Sequence, residues 1–158
     1  MFCRLALTSL ALGLLCGCRN TVQTVDISSS PPGAAIQVNG KPIGQTPLQI
    51  DLKTKRSYTV VVEKEGYRPS DTLLAARELP DAPYLQFGLK ADAGHYRRLA
   101  PAPMHIELIS EIVPESVGSD RFDELGTHIE QLDTLLATAK ITAAEHARIM
   151  EQILAVFE

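Results

Sequence analysis

The sequence predicts an α+β protein in which a small antiparallel β-sandwich is followed by a C-terminal helical hairpin. Short segments of alternating apolar and polar residues, separated by turn residues, fill the region 25–90. Their close spacing leaves no room for the crossover helices of a parallel sheet. In the region 119–158, apolar residues instead recur at every third or fourth position, as on one face of a helix.

The first 17 residues have the organisation of a secretory signal peptide. Arg4 is followed by a largely apolar run of eleven residues, 5–15, which is the arrangement of an n-region and an h-region. A membrane-spanning helix needs about 20 apolar residues, so this run is too short for an ordinary transmembrane anchor. We therefore predict that residues 1–17 are removed and that residues 18–24 form a short tether.

The end of this segment resembles the lipobox of bacterial lipoproteins. Leu15, Cys16 and Gly17 precede Cys18, and Cys16 departs from the Ala or Ser that is usual in the lipobox. The resemblance implies that Cys18 carries the lipid, palmitate included, and becomes the first residue of the mature protein. It also implies that the protein is anchored in the outer membrane if the cell has two membranes, because Arg19 stands where an Asp would favour retention in the inner membrane. In a cell with one membrane, the outer face of that membrane is expected.

Composition restricts the classes of function. Cys3 and Cys16 would leave with the signal peptide and Cys18 would be acylated, so no cysteine remains for a disulfide, a metal or catalysis. Loss of Arg4 leaves 14 basic and 19 acidic side chains and a net charge of −5. A nucleic-acid partner is therefore not expected, since it would require a basic surface.

Turn residues divide the region 25–90 into short predicted strands. The alternating segments are 25–28, 34–38, 48–52 and 58–62, and the sheet is expected to continue through 71–74 and 84–89. The turn residues between the strands are Pro31, Pro32, Gly33, Ala34, Asn39, Gly40, Gly44, Thr46, Pro47, Gly66 and Tyr67. Asn39 and Gly40 suit a type I′ hairpin turn. Tyr67 is expected to cover the sandwich edge with its ring and to keep its hydroxyl in water.

The order and spacing of three of these blocks resemble the PEGA domain, a small β-sandwich of bacterial envelope and surface proteins. The blocks are 30–34, 38–48 and 62–67, and Pro32 stands where the Pro-Glu-Gly-Ala motif of the family has Glu. The resemblance covers 25–90. It implies a noncatalytic binding or scaffolding role, with turn residues that specify the fold and do not need a ligand.

The region 91–118 is predicted to be a linker that contains one strand, 105–113, in front of Pro114. A first helix is expected over about 120–139, with Ser119 or Asp120 as its N-cap. A second helix should begin at the capping box formed by Thr142 and Glu145 and end near Phe157. The apolar residues that form a stripe on the two helices are Phe122, Leu125, Ile129, Leu132, Leu135, Leu136, Ile149, Met150, Ile153, Leu154 and Phe157.

The region 120–157 also resembles the SHOCT-type C-terminal hairpin. The resemblance lies in the leucines of 132–136 and in the segment 140–145, whereas Ala139 stands near a usual Gly and His146 at a usual Phe. It implies a small oligomerising or protein-contacting module. The apolar stripe must pack on the sandwich, on another copy or on a partner, and we expect a protein partner or self-association through these helices.

We predict no catalytic residue, metal site or cofactor. The four histidines are not spaced to place two ligands on one face, and Glu124 and His128, one turn apart, are expected to form a solvent-facing pair. The predicted function is that of a membrane-anchored envelope lipoprotein with a binding or scaffolding role through protein contacts. The alternative is a peptidoglycan- or polysaccharide-binding module, for which Tyr84 and Tyr96 are the candidate aromatic contacts.

Overall fold

A computed structural model describes residues 21–118 and 120–158 as a two-sheet sandwich followed by a helical hairpin. The strands are β1 (Val22–Ser30), β2 (Ala35–Val38), β3 (Lys41–Gln45), β4 (Leu48–Lys53), β5 (Tyr58–Glu63), β6 (Ser70–Glu78), β7 (Arg97–Ala100) and β8 (Met104–Glu107). The helices are α1 (Leu89–Asp92), α2 (Arg121–Ala137) and α3 (Ala143–Phe157). The predicted α+β class is confirmed. The predicted signal peptide, the predicted lipobox with Leu15, Cys16, Gly17 and Cys18, and Ser119 lie outside the described residues. The tether expected at 18–24 is too long, because its last three residues already belong to β1.

The two sheets are mostly antiparallel. One has the order β4-β1-β8 and the other β3-β2-β5-β6-β7. Among these strand pairs, only β1 and β8 run parallel, with Ile27 opposite Met104 and Ser30 opposite Glu107. The parallel pair arises because the chain leaves β7 at the edge of the larger sheet and crosses to the smaller sheet through 101–103, so that β8 enters in the direction of β1.

The core lies between the sheets and follows the two-residue period of the strands. In β5, Tyr58, Val60 and Val62 are buried while Thr59 and Glu63 are exposed. The inward side chains of the other strands join the same cluster. Burial of each large apolar side chain contributes about 1.5–3 kcal/mol, so the alternation accounts for which face of β5 turns inward.

The prediction of a strand at 84–89 is wrong. This segment contains no strand, α1 begins at its last residue, and Tyr84, Phe87 and Leu89 are exposed. The free edge of β6 pairs instead with β7, from Ala75 opposite Ala100 to Glu78 opposite Arg97. With that edge occupied, the apolar segment that precedes α1 has no strand to pair with.

The region 91–118 is more than the predicted linker, because it contains two strands. One of them, β7, belongs to the larger sheet, and the other, β8, belongs to the smaller sheet. The strand expected at 105–113 spans only Met104–Glu107. It stops there because its neighbour β1 ends at Ser30, whose carbonyl accepts the last hydrogen bond from the Leu108 N–H at 2.9 Å. Ser110 then makes an isolated bridge with Tyr67.

The two C-terminal helices form the predicted hairpin. Arg121 at the start of α2 donates a hydrogen bond to the Phe157 carbonyl at the end of α3, so the helices are antiparallel. Leu132, Ile149 and Ile153 are buried in the same core cluster as the sandwich side chains. The sandwich therefore covers the buried part of the apolar stripe. None of the helices described over 21–118 and 120–158 is both long enough and apolar enough to span a bilayer.

Candidate functional site

The structure places the turn residues at strand ends. Asn39 and Gly40, with φ of 50° and 74°, form the two-residue turn between β2 and β3. The Asn39 side-chain oxygen also accepts a hydrogen bond from the Thr59 N–H at 2.9 Å, which ties this hairpin to β5. Gly33 has φ of 80°, a conformation that glycine adopts without strain.

Thr46 joins two of the turn blocks. Its buried hydroxyl accepts a hydrogen bond from the Ala34 N–H at 3.0 Å and lies 2.6 Å from the Ser29 hydroxyl. Its carbonyl accepts another from the Gly33 N–H at 2.8 Å. These bonds satisfy backbone groups that burial would otherwise leave without a partner, so Thr46 has a structural role.

Tyr67 lies under the hairpin and not at a wet edge, which corrects the expectation for its hydroxyl. The residue is only 6% exposed, and its hydroxyl has no hydrogen-bond partner among the described residues. Burial raises the pKa of the Tyr67 phenol, and the negative charge of Glu145 raises it further, while Arg148 acts in the opposite direction. The reason for the difference is α3, which covers the end of the sandwich where water was expected.

Lys64 connects the sandwich to the hairpin. Its ammonium group donates hydrogen bonds to the Pro32 carbonyl at 3.0 Å and to a Glu145 carboxylate oxygen at 3.4 Å. It also lies 5.8 Å from the centroid of the Tyr67 ring, within the range of a cation–π contact. One side chain therefore holds a turn block, the end of β5 and the start of α3 together.

Glu145 occupies the third position of α3 and completes the capping box. Its carboxylate accepts hydrogen bonds from the Thr142 N–H and hydroxyl, both at 3.0 Å, while the Thr142 hydroxyl accepts from the Glu145 N–H at 3.2 Å. The backbone hydrogen bond from Thr142 is the main cause that lowers the pKa of the Glu145 carboxyl, and Lys64 adds to it.

Gln152 forms a second connection on the other side of the hairpin. Its amide donates to the Leu108 carbonyl at 3.0 Å and accepts from the Ser110 N–H at 3.3 Å. It thus binds the backbone of the segment after β8 as a neighbouring strand would. Sequence reasoning missed Gln152, because its partners lie about forty residues away in the chain, and it also missed Lys64, although Lys64 lies inside the PEGA-like block.

A cleft of about 630 Å³ opens between the sandwich and the hairpin. Its apolar lining is contributed by Tyr67, Ile112, Leu135, Ile141 and Ile149, and its charged lining by Lys64, Glu65, Glu111, Lys140 and Glu145. The volume is within the range of small ligand-binding clefts. A cleft with apolar walls and charges of both signs can hold an apolar side chain of a peptide, while the peptide backbone and the adjacent polar residues contact the charged side chains.

A second cleft, of about 820 Å³, lies at the other end of the sandwich. Its lining includes Lys55, Glu78, Tyr84, Asp92 and Arg97 and is mainly polar. Tyr84 is fully exposed there. The other candidate for glycan contact, Tyr96, is partly buried, and its ring meets the His95 ring edge-on at 5.7 Å.

The i, i+4 pair expected on α2 does not form. A Glu124 carboxylate oxygen accepts a hydrogen bond from the Gly118 N–H at 2.9 Å, and the His128 ring lies 6.4 Å from the Phe157 ring. Across 21–118 and 120–158, no group of three or more His, Cys, Asp or Glu side chains is close enough to hold a metal ion.

Comparison with known proteins gives one match. Residues 22–74 match the sequence model of the PEGA domain, which covers β1 to β5 and the first half of β6. No curated protein and no solved structure matches the chain. The match does not include the hairpin, so the resemblance to the SHOCT-type module stays a prediction. Residues 22–74 are thus a PEGA-like segment, and β7 and β8 complete the sheets around it.

Proposed function

We propose that this chain is a membrane-anchored envelope lipoprotein with a noncatalytic binding role, and that it holds a protein partner in the cleft between its sandwich and its hairpin. The PEGA-like segment at 22–74 supports an envelope role of this general kind. The cleft is the observation that carries the binding role, because it is a concave apolar surface that the fold of the chain itself leaves open.

The membrane anchor is the lipid on Cys18. Thr21, at the start of the described sandwich, comes three positions after Cys18, and even a fully extended chain spans at most about 11 Å over that length. Two or more acyl chains hold a protein on a bilayer almost permanently. The sandwich would therefore remain close to the membrane surface, that of the outer membrane in a cell with two membranes.

Palmitate labelling tests the anchor. Cys18→Ala is expected to abolish the label, whereas Cys16→Ala, a change to a residue that is usual at that lipobox position, is expected to retain it. Full labelling of the Cys18→Ala protein would refute the assignment of the anchor.

The composition of the cleft favours a protein partner. Its apolar side chains are aliphatic apart from the Tyr67 ring, and its lining carries both Lys140 and Glu111, so an apolar anchor flanked by charged residues is complementary to it. Binding through the apolar stripe has to use side chains that the sandwich leaves uncovered, because Leu132 and Ile153 are fully buried within the chain. The surfaces that remain are the cleft and outward side chains such as Phe122, which is exposed.

Two neighbouring leucines provide a matched test of the cleft. Leu135 lines it, whereas Leu136 does not and lies exposed on the adjacent face of α2. Lipidated protein would be crosslinked in membranes, solubilised and recovered in its Leu135→Arg and Leu136→Arg forms, with thermal unfolding used to check that each form is folded. We expect a defined partner to be lost in the first form and retained in the second. Recovery of that partner to an equal extent with both forms would contradict the role of the cleft.

Glycan binding is the second candidate, and the exposure of Tyr84 beside the polar cleft is the observation that favours it. A tyrosine ring can stack on a sugar while the polar lining bonds its hydroxyls. The test is sedimentation of the protein with purified peptidoglycan. Binding that is lost in Tyr84→Ala and kept in Tyr96→Ala would support this candidate, and failure of the unmodified protein to sediment would reject it.

A further inference from the structure

The segment 84–89 is an exposed apolar surface that the fold does not use. Tyr84, Leu85, Phe87 and Leu89 are between 69% and 100% exposed, so four of its six residues are large apolar side chains in contact with solvent. Single exposed apolar residues are common, whereas such side chains clustered in one short segment indicate a surface that is covered by something else.

The segment lies at the end of the sandwich that contains Thr21. The Thr21 N–H donates to the Ala93 carbonyl at 2.9 Å, and the Thr21 carbonyl accepts from the Thr54 N–H at 3.0 Å. The Thr54 hydroxyl in turn donates to the Gly94 carbonyl at 2.7 Å. The chain directly after the segment therefore shares hydrogen bonds with the residue that lies three positions after Cys18.

The hairpin lies at the opposite end of the sandwich. In β5, Tyr58 is hydrogen-bonded to Lys53 near the Thr21 end, whereas Lys64, just after the strand, contacts Glu145 of α3. The six residues of β5 cover about 20 Å at the usual rise of a strand. A bilayer near Thr21 would thus meet the segment 84–89 and leave the hairpin and its cleft facing away.

We propose that residues 84–89 insert into the surface of the bilayer beside the lipid of Cys18 and form a second, noncovalent membrane contact. This proposal rests on the proposed lipoprotein function. Leu85, Phe87 and Leu89 suit the acyl region, and Tyr84 suits the interface, where an aromatic ring with a polar hydroxyl is favoured. Lys90, exposed directly after them, is placed to meet lipid phosphates.

The second contact would fix the orientation of the sandwich. A lipid on a short tether restricts distance but leaves the attached domain free to rotate. Contact through both the lipid and the segment 84–89 restricts that freedom, since a second part of the same end of the sandwich is then held at the bilayer. The cleft is in this way presented to partners on the side away from the membrane.

A tryptophan reporter tests this contact, because the chain contains no Trp. The full lipidated protein would be reconstituted in Phe87→Trp and Phe122→Trp forms into vesicles of phosphatidylethanolamine and phosphatidylglycerol with brominated acyl chains. Phe122 is a matched control, since it is 88% exposed and lies on the hairpin. We expect bromine quenching at least threefold stronger for Phe87→Trp, with emission shifted to shorter wavelength.

Equal and weak quenching of the two reporters would overturn the membrane contact, including the case in which a glycan or a protein covers the segment. Palmitate labelling of the same preparation distinguishes this failure from failure of the anchor. A labelled but unquenched Phe87→Trp protein would refute only the contact. A quenched but unlabelled protein would support the contact and refute the lipid on Cys18.

Discussion

Gly94 determines how closely the chain packs at the end of the sandwich near Thr21. A Cβ at this position would lie 2.8 Å from both the Lys55 nitrogen and the Thr54 hydroxyl oxygen, and φ is +79°. Gly33 has nearly the same φ but no atom within 4 Å of the corresponding position. Alanine substitutions at the two glycines therefore separate the destabilisation that backbone strain causes from the destabilisation that a steric clash causes.

Gly94→Ala is expected to lower the free energy of unfolding by more than about 3 kcal/mol, because strain and overpacking add. Gly33→Ala, in which only the strain is present, should cost about 1–2 kcal/mol. Urea unfolding of the two variants measures the difference. Equal losses would mean that the close approach of Thr54 and Lys55 to Gly94 is absent.

Ala139 ends α2 in a left-handed conformation, with φ of 54°. The Lys140 N–H donates to the Leu135 carbonyl and the Ala139 N–H to the Leu136 carbonyl, both at 3.0 Å, which is the hydrogen-bond pattern of a Schellman motif. Glycine is the usual residue at this position because it lacks a Cβ.

Ala139→Gly should therefore stabilise the protein by about 1 kcal/mol, which is unusual for a change from alanine to glycine. Ala147→Gly, at an exposed position within α3, should instead destabilise it by about 1 kcal/mol. Thermal or urea unfolding compares the two. A loss of stability in both variants would show that Ala139 is not in the left-handed conformation.

The structural role of a residue could be predicted from the sequence where that role depends on residues nearby in the chain. The turn at Asn39 and Gly40 and the capping box at Thr142 depend on neighbours within a few positions, and the structure contains both. The surroundings of Tyr67 depend on α3, whose Glu145 is far away in sequence. Its buried hydroxyl could not be predicted without knowing where the hairpin docks.

The first turn of α3 is expected to make the stability of the folded protein depend on acid pH. The pKa of the Glu145 carboxyl is lowered in the folded protein, chiefly by the Thr142 backbone N–H. A carboxyl whose pKa is lower in the folded state contributes stability that is complete above its ordinary pKa and is lost as the pH falls through the folded value. Protonation also weakens the ion pair with Lys64.

Glu145→Gln should keep most of the capping hydrogen bonds but lose this dependence on pH. The loss of stability between pH 7 and pH 3 is expected to be smaller in Glu145→Gln than in the unmodified protein. Glu151→Gln, exposed on the same helix, is the control and should behave like the unmodified protein. Circular dichroism measures the unfolding of the unmodified protein and the two variants at each pH. The same loss of stability with falling pH in all three proteins would contradict the role of Glu145.

Elements whose pattern is set within their own segment could be predicted from the sequence, whereas elements that depend on distant partners could not. Helices α2 and α3 follow from their own apolar period, and β2 to β5 follow from alternation bounded by turns. The segment 84–89 alternates in the same way as a strand, but β7 occupies the edge of β6 that it would need. Strand pairing of this kind is set by competition between distant segments, which the pattern within one segment does not contain.

The sandwich and the hairpin share one core, so they should unfold together. Leu132 of α2 is fully buried in the common cluster, whereas Leu136, one turn later, is exposed. Leu132→Ala is expected to cost about 2–5 kcal/mol and to lower the unfolding midpoints of helix and strand signals equally. Leu136→Ala should cost under about 1 kcal/mol. A shift of the helix signal alone in Leu132→Ala would show that the hairpin is not packed on the sandwich.

The two ends of the sandwich carry different features. Thr21 and the chain that follows the segment 84–89 lie together at one end, and the hairpin and its cleft lie at the other. The signal peptide and the lipobox were inferred from local composition. The cleft could not be inferred in that way, since it exists only where 64–67, 110–112 and the hairpin meet.

The intact mass of the protein extracted from membranes tests the proposed lipoprotein most directly. We expect the mass of the polypeptide 18–158 increased by that of its acyl groups, with the added mass located on Cys18 after proteolysis. The mass of an unmodified chain, whether it is full-length or cleaved elsewhere, would contradict a lipid anchor at Cys18. It would also remove the reason for placing the end of the sandwich near Thr21 at a membrane.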